Sequence, residues 1–234
     1  MKEEDQLFIN KFLDKANPKI AKSNQRFFKQ SEDSPSKNDL LLGISMPTIK
    51  DYVKNSPQFD LDTIVQLAQS EYNEARVLAW ALLVRDYPDS AIIKSFILKL
   101  SPLCGNWNVV DFAAPVTTKV ILKNDGLSLA RMIGYSLIRD NARFNLWSHR
   151  FAIVMSLQLI YDNHLNYAID IVERSLDSDE DLIRKPCGWV LREVRKKNVE
   201  LFNLFMKENK HRMSSITKSY ALEHCTQEEK NMFK

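Results

Sequence analysis

The stretch NWNVVDFAA (106–114) places a tryptophan and an aspartate four positions apart. In a helix that spacing puts Trp107 and Asp111 on one face, a large π surface beside a carboxylate. An aromatic face attracts a cation by roughly 0.5–2 kcal/mol. A carboxylate stabilises developing positive charge and can orient or deprotonate a water. The plainer alternative is a core tryptophan with an aspartate at the rim. Two further segments repeat the combination of aromatic and charge. LWSHRFAIV (146–154) carries Trp147 and Arg150, and DLIRKPCGWVLREVRKK (181–197) carries Arg184, Lys185, Trp189 and Arg192.

Such residues need a scaffold, and the scaffold is helical. Gly is scarce at 5 of 234 residues and Pro stands at 8, among abundant Leu, Ala, Lys, Glu and Arg. That favours an all-α protein. Apolar residues recur at three- and four-residue spacing in 62–69, 73–87, 91–100, 127–140, 146–161, 165–176 and 181–197, which predicts a helix over each. Short turn signals such as YPDS (87–90), KNDG (123–126) and LDSDE (176–180) separate them. No segment alternates as a half-buried strand would.

The helices also repeat. Arg76, Asp111, Arg150, Arg184 and Lys218 each fall early in an Ala-rich apolar helix, 35, 39, 34 and 34 residues apart. One helix pair per interval is the pattern of an α-solenoid of HEAT-like repeats. VLAWALLV (77–84) and FAIVMSLQLI (151–160) are apolar nearly all round, as an inner row covered on both sides must be. Stacked pairs would present a concave groove, into which residues at equivalent repeat positions face. The expected organisation is a single domain over 1–234. Pro47 and Pro88 suit the first turn of a helix, and Pro186 the start of its own. Pro115 should kink its helix after Asp111. That kink would either turn Trp107 and Asp111 toward the groove or fit the chain around a neighbour.

Several kinds of chemistry lack their signatures. There is no GxxxxGK[ST] or GxGxxG loop, no HExxH, no His–Cys pairing and no GxSxG elbow. The expectation is that no metal or cofactor takes part. Cys104, Cys187 and Cys225 are odd in number and widely spaced, which suits reduced thiols in a cytoplasm. No apolar run is long enough to span a bilayer, and no secretory signal is evident. Net charge is only +3, but residues 182–218 hold ten Lys or Arg against three Glu. That segment either tracks a phosphate backbone or forms the solvated faces of two or three helices.

In order along the chain, five segments resemble the AlkD-like family of DNA alkylation repair glycosylases. RFFK followed by LLGISMPTIK (26–29, 41–50) is similar to the family's N-terminal segment. NWNVVD is similar to its W-x-x-x-D motif and LWSHRFAIV to its W-x-x-R segment. KPCGWVLREVRKKN (185–198) resembles the distinctive GW-x-LRE motif, and SSITKSYALEH (214–224) the terminal helix. The resemblance covers nearly the whole chain. It departs at Phe27, where a Tyr can occur, at Asn106, where an aromatic can occur, at KPCG, and through extra residues around SEDSPSKND (31–39).

This resemblance implies an all-helical HEAT-like protein that hydrolyses the N-glycosidic bond of cationic alkylpurines in duplex DNA. Trp107, Asp111 and Trp189 match the catalytic positions. Arg150 matches a DNA-binding arginine, and Arg184, Lys185 and Arg192 are further candidate phosphate contacts. The implied partner is duplex DNA containing alkylated purines, with no membrane, acting as a monomer in the cytoplasm. Without the family match, Trp189 reads as core and Arg192–Glu193 as a solvated pair. Arg150 alone fits an inter-helix bridge to Asp181 or a neighbour as well as a phosphate contact. Trp80, Trp147, Phe27 and Phe28 read as packing. Two other functions remain as alternatives: a non-catalytic DNA-structure-binding protein of the same superfamily, and a protein-interaction scaffold.

Overall fold

A computed structural model describes residues 3–28, 34–139 and 146–233. Its helices are α1 (Glu3–Leu13), α2 (Pro18–Phe28), α3 (Met46–Asn55), α4 (Leu61–Ala68), α5 (Asn73–Asp86), α6 (Ser90–Leu100), α7 (Trp107–Asn124), α8 (Gly126–Arg139), α9 (Leu146–Tyr161), α10 (Leu165–Glu173), α11 (Asp181–Lys197), α12 (Val199–Asn209), α13 (Ser215–Ala221) and α14 (Gln227–Met232). Among the described residues the only other regular pieces are a 3-10 turn at Ser101–Leu103 and an isolated bridge between Leu40 and Tyr72. The protein is all-α, as the periodicity predicts. The helices expected over 146–161 and 181–197 have those limits, and the rest agree to within a few residues. The last residue expected in the 127–140 helix lies outside the described residues, as do residues 31–33 of the extra segment.

Several helix starts are set by short polar side chains. Ser45, Asp60, Asp89, Asn198 and Ser214 each accept a backbone N–H from the first turn that follows. This satisfies donors that a helix leaves without partners. Thr226 and Glu229 complete a reciprocal capping box on α14.

Two prolines depart from expectation. Pro88 is not in a first turn, because Asp89 caps α6 and the helix begins at Ser90. Pro186 does not start α11, which begins five residues earlier at Asp181 and continues through the proline. Pro47 does lie in the first turn of α3. Pro115 lies inside α7, which runs on to Asn124.

The chain forms two compact units, Met1–Asn124 and Asp125–Lys234. In the first, α5 packs on α3, α4 and α7, and α6 packs on α7. In the second, α9 packs on α8, α10 and α11, while α11 also packs on α12 and α13. Within their units α5, α9 and α11 are therefore the helices packed on several sides. Residues Asn73 through Trp80 of α5 are buried without a break, and so are Phe151 through Leu157 of α9. A helix covered on several sides has no polar face to spare, which explains the two segments that are apolar all round. Gly188 lets α11 and α13 approach. A Cβ there would stand 2.5 Å from the Thr217 carbonyl oxygen and from Tyr220 Cβ.

Candidate functional site

In the first unit the turn at Gly105, with φ of +69°, leads into α7, whose first residue is Trp107. Val109, Val110, Ala113 and Ala114 face the core, while Trp107 and Asp111 are half-buried. The two therefore share the less covered face of the helix. One neighbour of the indole is the Phe28 ring, with centroids 5.6 Å apart and planes tilted by 39°. Phe28 thus packs as expected, whereas Phe27 is 71% exposed.

A buried polar network holds the start of α7. Asn106 is fully buried; its Oδ1 accepts the Trp107 N–H at 2.8 Å and its Nδ2 donates to Asp39 Oδ2 at 2.7 Å. Asp39 also accepts from Asn73 Nδ2 at 2.7 Å and is ion-paired with Arg76. Arg76 in turn donates Nε to the Cys104 carbonyl at 3.0 Å and Nη1 to the Ser70 carbonyl at 2.7 Å. Asn73 and Asn108 exchange side-chain amide hydrogen bonds at 2.8 and 2.9 Å. Buried charges persist where they are paired and fully hydrogen-bonded, as here. The result fixes the helix start that presents Trp107. Asp39, the last residue of the apparent extra segment, is central to it. The sequence hides this network because directly bonded partners lie up to 67 residues apart. The one local signal was an Asn immediately before a helix start.

In the second unit, Trp189 is half-buried on α11 and Trp147 is buried in α9. Trp80 and Trp147 are core residues, as expected. Arg150 is 6% exposed, and its Nη1 donates to the Leu182 carbonyl of α11 at 2.7 Å. Arg184 bonds the Ser178 carbonyl at 2.8 Å and Asp179 at 2.9 Å, with Asp181 at 3.9 Å. Arg76 and Arg184, each the fourth residue of its helix, both reach back six residues to a serine carbonyl. Part of the internal repeat is therefore a structural clamp. Arg192 pairs with Glu223, and Lys185 is half-buried on the same helix.

The basic segment is less bare than its composition indicates. Arg195 pairs with Glu229, Lys196 with Glu193, and Arg212 with Asp177 and Glu173. Most of these acids lie just outside the 182–218 window. Lys197, Lys207 and Lys210 are exposed. Beside Arg150, the His149 Nε2 lies 2.9 Å from Ser175 Oγ, and burial lowers the imidazole pKa below its ordinary 6.5. Burial pushes the thiols of Cys104 and Cys187 up to about 12. Among the described residues no group of three His, Cys, Asp or Glu is placed to hold a metal ion, and no helix is long and apolar enough to cross a membrane.

The fold has a solved counterpart. A predicted DNA alkylation repair enzyme from Enterococcus faecalis superposes with a TM-score of 0.69 at 18% identity, covering 91% of this chain and 98% of that one. At that identity the likeness establishes a shared helical-repeat fold. No functionally curated protein matches the sequence. The family model described as DNA alkylation repair enzyme matches residues 8–225, nearly the whole chain. The protein belongs to the DNA alkylation repair enzyme family, and its role is in DNA repair.

Proposed function

We propose that the protein is a monofunctional DNA glycosylase that hydrolyses the N-glycosidic bond of cationic alkylpurines, of the N3-methyladenine and N7-methylguanine type, in duplex DNA. The observation that carries this reading is the pairing of Trp107 and Asp111 on the half-covered face of α7, above a buried network that fixes the start of that helix.

A purine alkylated at N3 or N7 already bears positive charge and leaves as a neutral base without being protonated. As its bond to C1′ breaks, both bonding electrons go to the base and positive charge passes to the sugar. The Asp111 carboxylate stabilises that oxocarbenium ion and orients the water whose oxygen bonds C1′. The proton lost by the water goes to the carboxylate and then to solvent. Trp107 offers a π surface to the cationic base or sugar, and Trp189 is the second aromatic position that the family resemblance marks. No Schiff-base lysine is invoked, so the DNA strand is not cut.

Positioning falls to the basic residues of the second unit. Lys185, Arg192 and Arg184 are partly exposed and suited to phosphate oxygens. Arg150 joins them with a guanidinium held in place by its Leu182 bond. Phosphate contacts release counterions, so affinity for duplex DNA should fall steeply as salt rises. Free methylpurine released from methylated duplex DNA, read by chromatography, tests the proposal. Salt-sensitive binding without release would instead identify a non-catalytic DNA-binding protein.

A further inference from the structure

We infer that Pro186 is a positioning residue that acts through Arg150. Within a helix, each backbone N–H normally bonds the carbonyl four residues earlier. Pro186 has no N–H, so it cannot bond the carbonyl of Leu182. Pro186 is buried inside α11, with five helical residues ahead of it, so the gap lies within the helix and not at its start. The Leu182 carbonyl accepts instead from Arg150 Nη1 of α9, at 2.7 Å. Two oddities of the sequence thereby explain each other: a proline in a helix interior, and an arginine only 6% exposed on a largely apolar inner helix.

The bond is charge-assisted and joins two packed helices of one unit. It fixes the direction of the guanidinium and seats the first turns of α11, on which Trp189 follows Pro186 by three residues. An arginine held this way loses less side-chain freedom on meeting a phosphate than one free to rotate. This functional part rests on the proposal that Arg150 meets DNA. The structural part does not.

The test is a double-mutant cycle of Pro186→Ala and Arg150→Met in the full chain, followed by Tm and by affinity for methylated duplex DNA. Alanine restores the N–H that Leu182 lacks. With Pro186 present, Arg150→Met leaves that carbonyl without this donor and should lower Tm by about 3–10 °C. In the Pro186→Ala background the same substitution should cost no more than half as much. Pro186→Ala alone should keep or raise Tm yet weaken DNA binding by roughly threefold to tenfold. In the Arg150→Met background it should leave affinity unchanged.

A merely structural proline would not weaken binding while stability holds. Equal Tm losses in both backgrounds would overturn the pairing. An affinity loss from Pro186→Ala that persists without Arg150 would overturn the positioning role. If Arg150→Met fails to fold in both backgrounds, Arg150→Lys takes its place and is read by the same criteria. If the native chain binds no DNA, the proposed function fails, and the Tm cycle still decides the pairing.

Discussion

Among individual residues, the strongest constraints surround Trp107. Asn106 is a hinge of hydrogen bonds, joined on one side to the Trp107 N–H and on the other to the buried Asp39 carboxylate. Asn106→Ala removes both and leaves a buried charge one donor short. It should cost about 2–4 kcal/mol in urea denaturation. A loss below about 0.5 kcal/mol, the usual effect of a surface change, would show that the network does not hold this helix start. Asp111 is different in kind, since the proposed glycosylase reading gives its half-buried carboxylate a chemical role. Its pairing with Trp107 was legible in the sequence because helical spacing alone puts them on one face. The Asp39 network was not, because a carboxylate's burial depends on chain segments that meet only in the fold. Arg184 shows the limit from the other side. Its repeat position is visible in the spacing, but the reach back to Ser178 depends on a loop conformation that spacing does not encode.

Among elements, the inner helices were the most legible, because residues 77–84 of α5 and 151–160 of α9 are apolar nearly all round and contain no breakers. The prolines were the least. A proline is compatible with a first turn, a loop or a helix interior, and the choice depends on whether something else satisfies the carbonyl it deprives. At Pro186 that something is Arg150, which belongs to another helix. The burial of His149 of α9, whose imidazole meets Ser175 just beyond α10, gives these elements a pH dependence. His149 is held neutral by burial, with a pKa below its ordinary 6.5. Below that value the unfolded chain takes up a proton that the folded chain resists, so the unfolded state binds more protons and stability falls as pH falls. Tm should therefore decline as pH drops from about 6.5 toward 5. His149→Gln, which keeps a hydrogen-bonding side chain without a titrating one, should flatten the decline over that range. An unchanged slope would remove His149 from the explanation.

For the whole molecule, the all-helical architecture and its repeat follow from composition and period, and the family match extends across both compact units. All three cysteines are buried and free, and burial raises each thiol pKa. The native protein at pH 8 should react slowly with a thiol reagent and should show three reactive thiols only on unfolding. Rapid labelling of Cys104 or Cys187 in the native state would mean that these cores open readily. The proposed chemistry turns on Asp111, and it is tested most directly by release of free methylpurine from methylated duplex DNA. That measurement compares the native chain with Asp111→Asn, the two matched in Tm and in DNA affinity. The native protein should release base, and the variant should be slower by about 100- to 1000-fold. Equal release by the two proteins, or salt-dependent binding with no release by either, would contradict the proposed chemistry.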